Sequence, residues 1–258
     1  MMSKFLWLVR HGESQGNLEQ RIQGWDDSPL TELGREQARL AAERLRQEAA
    51  ISAVVSSPLR RAAETGKIIA QTLEVSVRFD ERLNEYNFGP LNGMTREDIA
   101  KYYPQVPAAW KANEFWDTLP GEEGDPAFEA RVRSIMDDII TEMAEETAIA
   151  VVTHGGTLNA CLRSSLGIVD RGWRTFAFDN ASISLIQIQS SQRATATGEA
   201  PGRNYRILLL NDISHVKDVI RVRPTWFGSR RGPLDLSAIP TDRELAETPN
   251  FVLGWLEE

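Results

Sequence analysis

Two short apolar runs, far apart in the chain, end in the same way. Phe5-Leu6-Trp7-Leu8-Val9 leads into Arg10-His11-Gly12, and Ile149-Ala150-Val151-Val152-Thr153 leads into His154-Gly155-Gly156. Unbroken hydrophobicity over this length reads as a strand covered on both faces, as in a parallel sheet. A third run, Ala53-Val54-Val55, is followed at once by Ser56-Ser57-Pro58 and then by a helical pattern carrying Arg60 to Leu73, with Pro58 expected at the first helical position. Leu33, Ala38, Leu40, Ala41 and Leu45 predict a helix over 31–47, opened by Thr31 and Glu32, and a further helix is expected over 157–166, stopped by Gly167. Alternating strands and helices imply an α/β fold, a three-layer α/β/α sandwich with a mostly parallel central sheet. Residues 182–189 and 205–210 add two strands joined by a Ser/Thr/Gly/Pro-rich turn, as a hairpin at a sheet edge.

The chain's 258 residues suit one main domain with additions. The expected division is a catalytic domain over 1–220, interrupted by an aromatic cap insertion over 94–128, and a C-terminal arm over 221–258. The cap carries Tyr102, Tyr103, Trp110, Phe115 and Trp116. Four prolines and several aromatics mark the arm, which suits packing on a surface within or between subunits, so a homo-oligomer stays open. A net charge of −8 supplies no basic field for nucleic acid or an anionic membrane, and the expectation is neither partner. The apolar run at Phe5 is too short for a signal peptide or membrane span, and a lone Cys161 favours a reducing compartment, so the cytoplasm is expected. Three histidines and one cysteine are too few for a structural zinc site; no metal and no cofactor are expected.

The chemistry lies at the strand ends. A histidine bonded to backbone beside a surface arginine is the commoner reading of Arg10-His11-Gly12 taken alone. His154 repeats that placement at the start of a helix, and Ser57-Pro58-Leu59-Arg60-Arg61-Ala62 brings an arginine to a third strand end. If these strands are neighbours, two imidazoles, two guanidinium forks and a helix N-terminus converge on one crevice, which is an anion site.

Five ordered motifs extend this pattern. They are Leu8-Val9-Arg10-His11-Gly12-Glu13-Ser14 with Asn17; Gln23-Gly24-Trp25-Asp26-Asp27-Ser28-Pro29-Leu30-Thr31 with Gly34; Ser56-Ser57-Pro58-Leu59-Arg60-Arg61-Ala62; Leu83-Asn84-Glu85 with Gly89 and Gly93; and Val152-Thr153-His154-Gly155-Gly156. In this order the chain resembles the histidine phosphatase superfamily, also called phosphoglycerate mutase-like, over about residues 4–215. The resemblance implies His11 as phosphoryl acceptor, Arg10, Arg61 and His154 as the phosphate pocket, and Glu85 as proton donor, with Asn17, Gln23 and Gly24 lining the site. It implies a metal-independent phosphomonoesterase that acts on a small phosphorylated metabolite through a phosphohistidine.

Two alternatives remain: a cofactor-dependent phosphoglycerate mutase, and a silent phosphate-binding scaffold. Mutases similar to this family usually follow the glutamate with an Arg-His pair and later supply an Arg-Arg pair. Here Tyr86-Asn87 follows Glu85, and residues 94–128 offer only Arg96, Lys101 and Lys111 as cations. Phe178-Asp179-Asn180-Ala181-Ser182-Ile183 and Asn211-Asp212-Ile213-Ser214-His215 resemble the phosphatase branch, with His215 read as structural. Pro120-Gly121-Glu122-Glu123 departs from the Gly-Glu-Ser of many relatives, which leaves the hydrogen bonding there open.

Overall fold

The computed structural model describes residues 3–107, 119–168, 175–190 and 203–219. The expectations for Trp110, Phe115 and Trp116 of the cap, for the turn after residue 190 and for the arm over 221–258 lie outside the described residues. The strands are β1 (Ser3–Arg10), β2 (Ile51–Ser56), β3 (Ser76–Phe79), β4 (Ala148–Thr153), β5 (Ile183–Ser190) and β6 (Arg203–Asp212). They form one sheet in the order β3-β2-β4-β1-β5-β6. The pairings β2–β3, β2–β4 and β1–β4 are parallel, while β5 runs antiparallel to both β1 and β6. This is the expected α/β architecture with its hairpin at one edge.

Helices α1 (Gln15–Leu18), α2 (Glu32–Glu48), α3 (Arg60–Leu73), α4 (Arg96–Tyr102), α5 (Asp125–Glu142) and α6 (Gly155–Leu166) join these strands. Successive strand residues point to opposite faces. Trp7 and Val9 of β1 therefore share a buried cluster with Ala41, Ala42 and Leu45 of α2 and Ala62, Ile69 and Ala70 of α3. Leu6 and Leu8, on the opposite face, are buried as well, and α6 packs against β1 there with α5 behind it. Each large apolar side chain buried in this way contributes about 1.5–3 kcal/mol.

Three departures from the sequence expectations have local causes. Pro58 is not the first helical residue: α3 starts at Arg60, because Ser57 Oγ accepts the Leu59 N–H (3.2 Å) and closes a tight turn first. The Arg60 N–H is instead capped by Asp27 Oδ1 at 2.7 Å. Helix α6 starts at Gly155, earlier than expected, because the Glu85 carboxylate accepts the Gly156 and Thr157 N–H groups at 3.0 and 3.2 Å. The third departure is α5, which no sequence expectation covers; Phe128, Val132, Ile135, Met136, Ile139 and Ile140 form its buried stripe.

One close approach fixes the first strand end. A Cβ at Gly12 would lie 2.3 Å from the Gly34 carbonyl oxygen, and one at Gly34 would lie 1.9 Å from that of Glu13. The turn after His11 thus rests directly on the first turn of α2, with no room for a side chain in either place.

Candidate active site

The ladder between β1 and β4 pairs Arg10 with Thr153 and continues one residue further, where the His11 N–H donates to the Thr153 carbonyl at 3.0 Å. Register alone therefore sets the two histidines side by side, with ring centroids 5.2 Å apart and planes tilted by 59°. Both are buried, at 2% and 0% exposure.

Opposite ring nitrogens are tied down. His11 Nδ1 lies 2.7 Å from the Gly12 carbonyl oxygen, which can only accept, so Nδ1 carries the proton and Nε2 keeps a lone pair. His154 Nε2 lies 2.9 Å from Ser57 Oγ, which donates its own proton to Asn84 Oδ1 at 2.7 Å. Ser57 therefore accepts from Nε2, and Nδ1 of His154 is the nitrogen left over. Burial, then the charge of Arg61, holds both imidazoles well below the usual histidine range; Arg10 adds to this at each ring. Both rings are neutral at neutral pH.

The arginines are held by backbone. Arg61, 1% exposed, donates to the carbonyls of Asp26 (2.7 Å) and Gly24 (2.8 Å), and burial lowers its guanidinium to about 10. Gly24 adopts φ +48°, and a Cβ there would meet Asn92 Oδ1 at 2.1 Å, so only glycine presents this carbonyl. Arg10 donates to the Phe178 carbonyl, and its Nε faces the position where a Gly155 Cβ would stand, 3.7 Å away. Arg10 Nε, Arg61 Nε and His154 Nδ1 are buried without a hydrogen-bond partner. Such atoms are costly unless a ligand meets them, at about 1–3 kcal/mol each. The ligand chemistry that meets all three is an oxyanion carrying one proton: its charged oxygens accept from the two arginine N–H groups and its hydroxyl donates to His154 Nδ1.

Glu85 stands at the N-terminus of α6 and lies within electrostatic reach of Arg10 and Arg61. Asn17 Oδ1 accepts from Ser14 and from Asn180 Nδ2, at 2.9 and 3.0 Å, and Asn180 also reaches the His11 carbonyl at 3.2 Å. Gln23 Oε1 accepts from Ser14 Oγ at 2.6 Å. The residues supporting this group without any assigned part in the sequence are Ser57, Asn84, Arg131, Thr157 and Asn180. Four of them fall inside or beside the quoted motifs. Arg131 alone has no motif, and its one signal is its position next to the apolar stripe of α5. His215 is structural: Nε2 meets the Ala181 carbonyl at 2.9 Å and Nδ1 faces Arg44 at 3.2 Å. The hydrogen bonding at 120–123 is now defined as well, since Glu123 pairs with Arg131 and exchanges backbone contacts with Asn87.

No group of three or more His, Cys, Asp or Glu side chains among the described residues is placed to hold a metal ion. No helix among them is long and apolar enough to cross a membrane.

The family model of the histidine phosphatase superfamily, branch 1, matches residues 6–198. The chain belongs to that superfamily. It is an enzyme of the histidine phosphatase type. A putative phosphoserine phosphatase 2 of Hydrogenobacter thermophilus is 33% identical over 218 residues, 84% of this chain and 99% of the relative. A probable phosphoglycerate mutase GpmB of Proteus mirabilis is 32% identical, covering 83% of this chain and 95% of the relative. Among solved structures, a mycobacterial glucosyl-3-phosphoglycerate phosphatase in complex with VO3 superposes with a TM-score of 0.65 at 26% identity, covering 80% of this chain and 98% of that one.

Proposed function

We propose that this histidine phosphatase hydrolyses small phosphomonoesters without a metal, through a phosphohistidine on Nε2 of His11. The observation that carries this reading is the tautomer lock: the Gly12 carbonyl holds the proton on Nδ1, so a neutral, buried imidazole offers its Nε2 lone pair beside two arginines. Nε2 attacks phosphorus as the ester P–O bond breaks, and the departing alkoxide takes a proton from Glu85. Arg10, Arg61 and the N-terminus of α6 balance the charge on the equatorial oxygens, while His154 Nδ1 accepts a hydrogen bond from the one oxygen that keeps its proton in a monoanionic phosphomonoester. Glu85, now a carboxylate, takes a proton from the water whose oxygen attacks phosphorus as the P–Nε2 bond breaks. Phosphate leaves and His11 is regenerated.

Support for hydrolysis over isomerisation comes from Tyr86-Asn87 after Glu85 and from the acidic balance of 94–128, which give a carboxylated intermediate little to hold it. The mutase reading is favoured by one observation, the 32% identity to a relative named as a probable phosphoglycerate mutase. Phosphate release from a panel of phosphomonoesters with excess chelator, beside 3- to 2-phosphoglycerate conversion, separates the two. Hydrolysis that survives chelation and is lost in His11→Ala is expected; isomerisation outpacing release would establish the mutase, and silence in both assays the scaffold.

A further inference from the structure

Arg131 lies on α5 behind the backbone of residues 82–85, and every one of its five N–H donors is used. Nη1 donates to the carbonyls of Arg82 (2.8 Å) and Asn84 (2.7 Å), Nη2 donates to that of Glu85 (2.8 Å) and to Glu123 Oε2 (2.9 Å), and Nε donates to Glu123 Oε1. The guanidinium carbon also sits 4.8 Å above the Phe128 ring. Three of the four partners are backbone carbonyls of residues 82–85, where the short 3-10 helix Glu81–Leu83 runs on into Glu85. Glu123, the fourth, grips the same segment from its far side: its carboxylate accepts the Asn87 N–H at 3.2 Å, and its own N–H donates to the Asn87 carbonyl at 3.0 Å. Trp25 Nε1 adds a second donor on the Glu85 carbonyl at 2.7 Å.

A guanidinium drawn partly out of water is unfavourable unless well paired, and a segment of this kind could be packed with apolar side chains instead. Here the fork is spent on three carbonyls of residues 82–85, the last that of Glu85, and on the Glu123 carboxylate. Only a planar five-donor group can make this set of contacts, and an ammonium cannot.

We infer that Arg131, held by Glu123, is a positioning residue that sets the Glu85 carboxyl at the leaving-group side of the pocket. The inference rests on the proposed function, since it takes Glu85 as the proton donor. Arg131 touches neither substrate nor the reacting atoms; it acts through Glu85. Its loss therefore harms proton donation far more than attack by His11.

The test compares an alkyl phosphate, whose alkoxide needs a proton, with p-nitrophenyl phosphate, whose phenolate does not. Wild type, Arg131→Lys, Glu123→Gln and Glu85→Gln are measured as full-length chains, each with its thermal melt. Misplacing a catalytic group by about 1 Å costs roughly 10²-fold, so Arg131→Lys is expected to lose about that much kcat on the alkyl ester and under about 3-fold on the aryl ester. The pH profile for the alkyl ester should shift while that for the aryl ester stays. Glu123→Gln, which keeps the shape and removes the charge, gives the same selectivity to a smaller degree and serves if Arg131→Lys does not fold. Equal losses on both esters, or none, in variants whose Glu85→Gln counterpart is selective would overturn the inference alone. Absence of selectivity in Glu85→Gln itself would remove the acid assignment, and the inference with it.

Discussion

His11 and His154 end neighbouring parallel strands and are both fully enclosed, yet they are fixed through opposite ring nitrogens and by different kinds of partner. For His11 the partner is its own backbone at Gly12, a contact no side-chain substitution can remove. For His154 it is a side-chain pair, Ser57 and Asn84, brought from two other parts of the chain. The strand end decides where an imidazole sits; the partner on the second nitrogen decides what the first can do. Under the proposed function, one ring is left to act as nucleophile and the other to accept a hydrogen bond in the phosphate pocket.

That contrast can be broken most forcefully at the rings themselves. His11→Ala should lose at least about 10⁴-fold in kcat, as removal of a nucleophile does, whereas His154→Ala should lose about 10²–10³-fold, the cost of one lost stabilising group. Steady-state kinetics on one phosphomonoester measures both, and equal losses would erase the distinction. A smaller and sharper effect is expected at the tether. Ser57→Ala frees His154 Nε2 and takes the Ser57 donor from Asn84 Oδ1, so about 10-fold weaker vanadate inhibition is expected, with labelling of His11 retained. Unchanged vanadate affinity would show that the tether does not set the ring.

The smallest effect concerns pH. Burial and the two arginines lower both histidines in the folded chain, while the unfolded chain protonates them near 6.5. The unfolded state then binds more protons below that value, so the stability present above it is lost as pH falls towards the folded values. Thermal melts should decline across that window, less steeply in His154→Asn. The acid limb of kcat/KM, which reports the free enzyme, should lie below 6.5, because His11 stays neutral there.

Much of this arrangement was legible in the sequence because strand periodicity is local: β1, β2 and β4 with their terminal His11, Ser57 and His154 stand in unbroken apolar runs. The edge hairpin was legible from the same alternation. Strand β3 was not, since Ser76–Phe79 is short, mostly exposed and lacks an apolar run. Helix α5 was hidden by its acidic, proline-marked start, although its stripe from Phe128 to Ile140 has helical spacing. The tethers were the hardest to foresee. Ser57–Asn84–His154 and the grip of Arg131 on three carbonyls depend on residues tens of positions apart, whose meeting is a product of tertiary packing. The convergence of His11, His154, Arg10 and Arg61 could be expected from motif order, but the fixed protons on the two rings required geometry.

The most direct test of the central claim is brief mixing with a phosphomonoester labelled in its phosphoryl group, in excess chelator, followed by alkaline quench and mapping of the label. Label that is stable to base, lost in acid, confined to the peptide carrying His11 and absent from His11→Ala is the predicted result; turnover without any such label, or label that persists in His11→Ala, would contradict it.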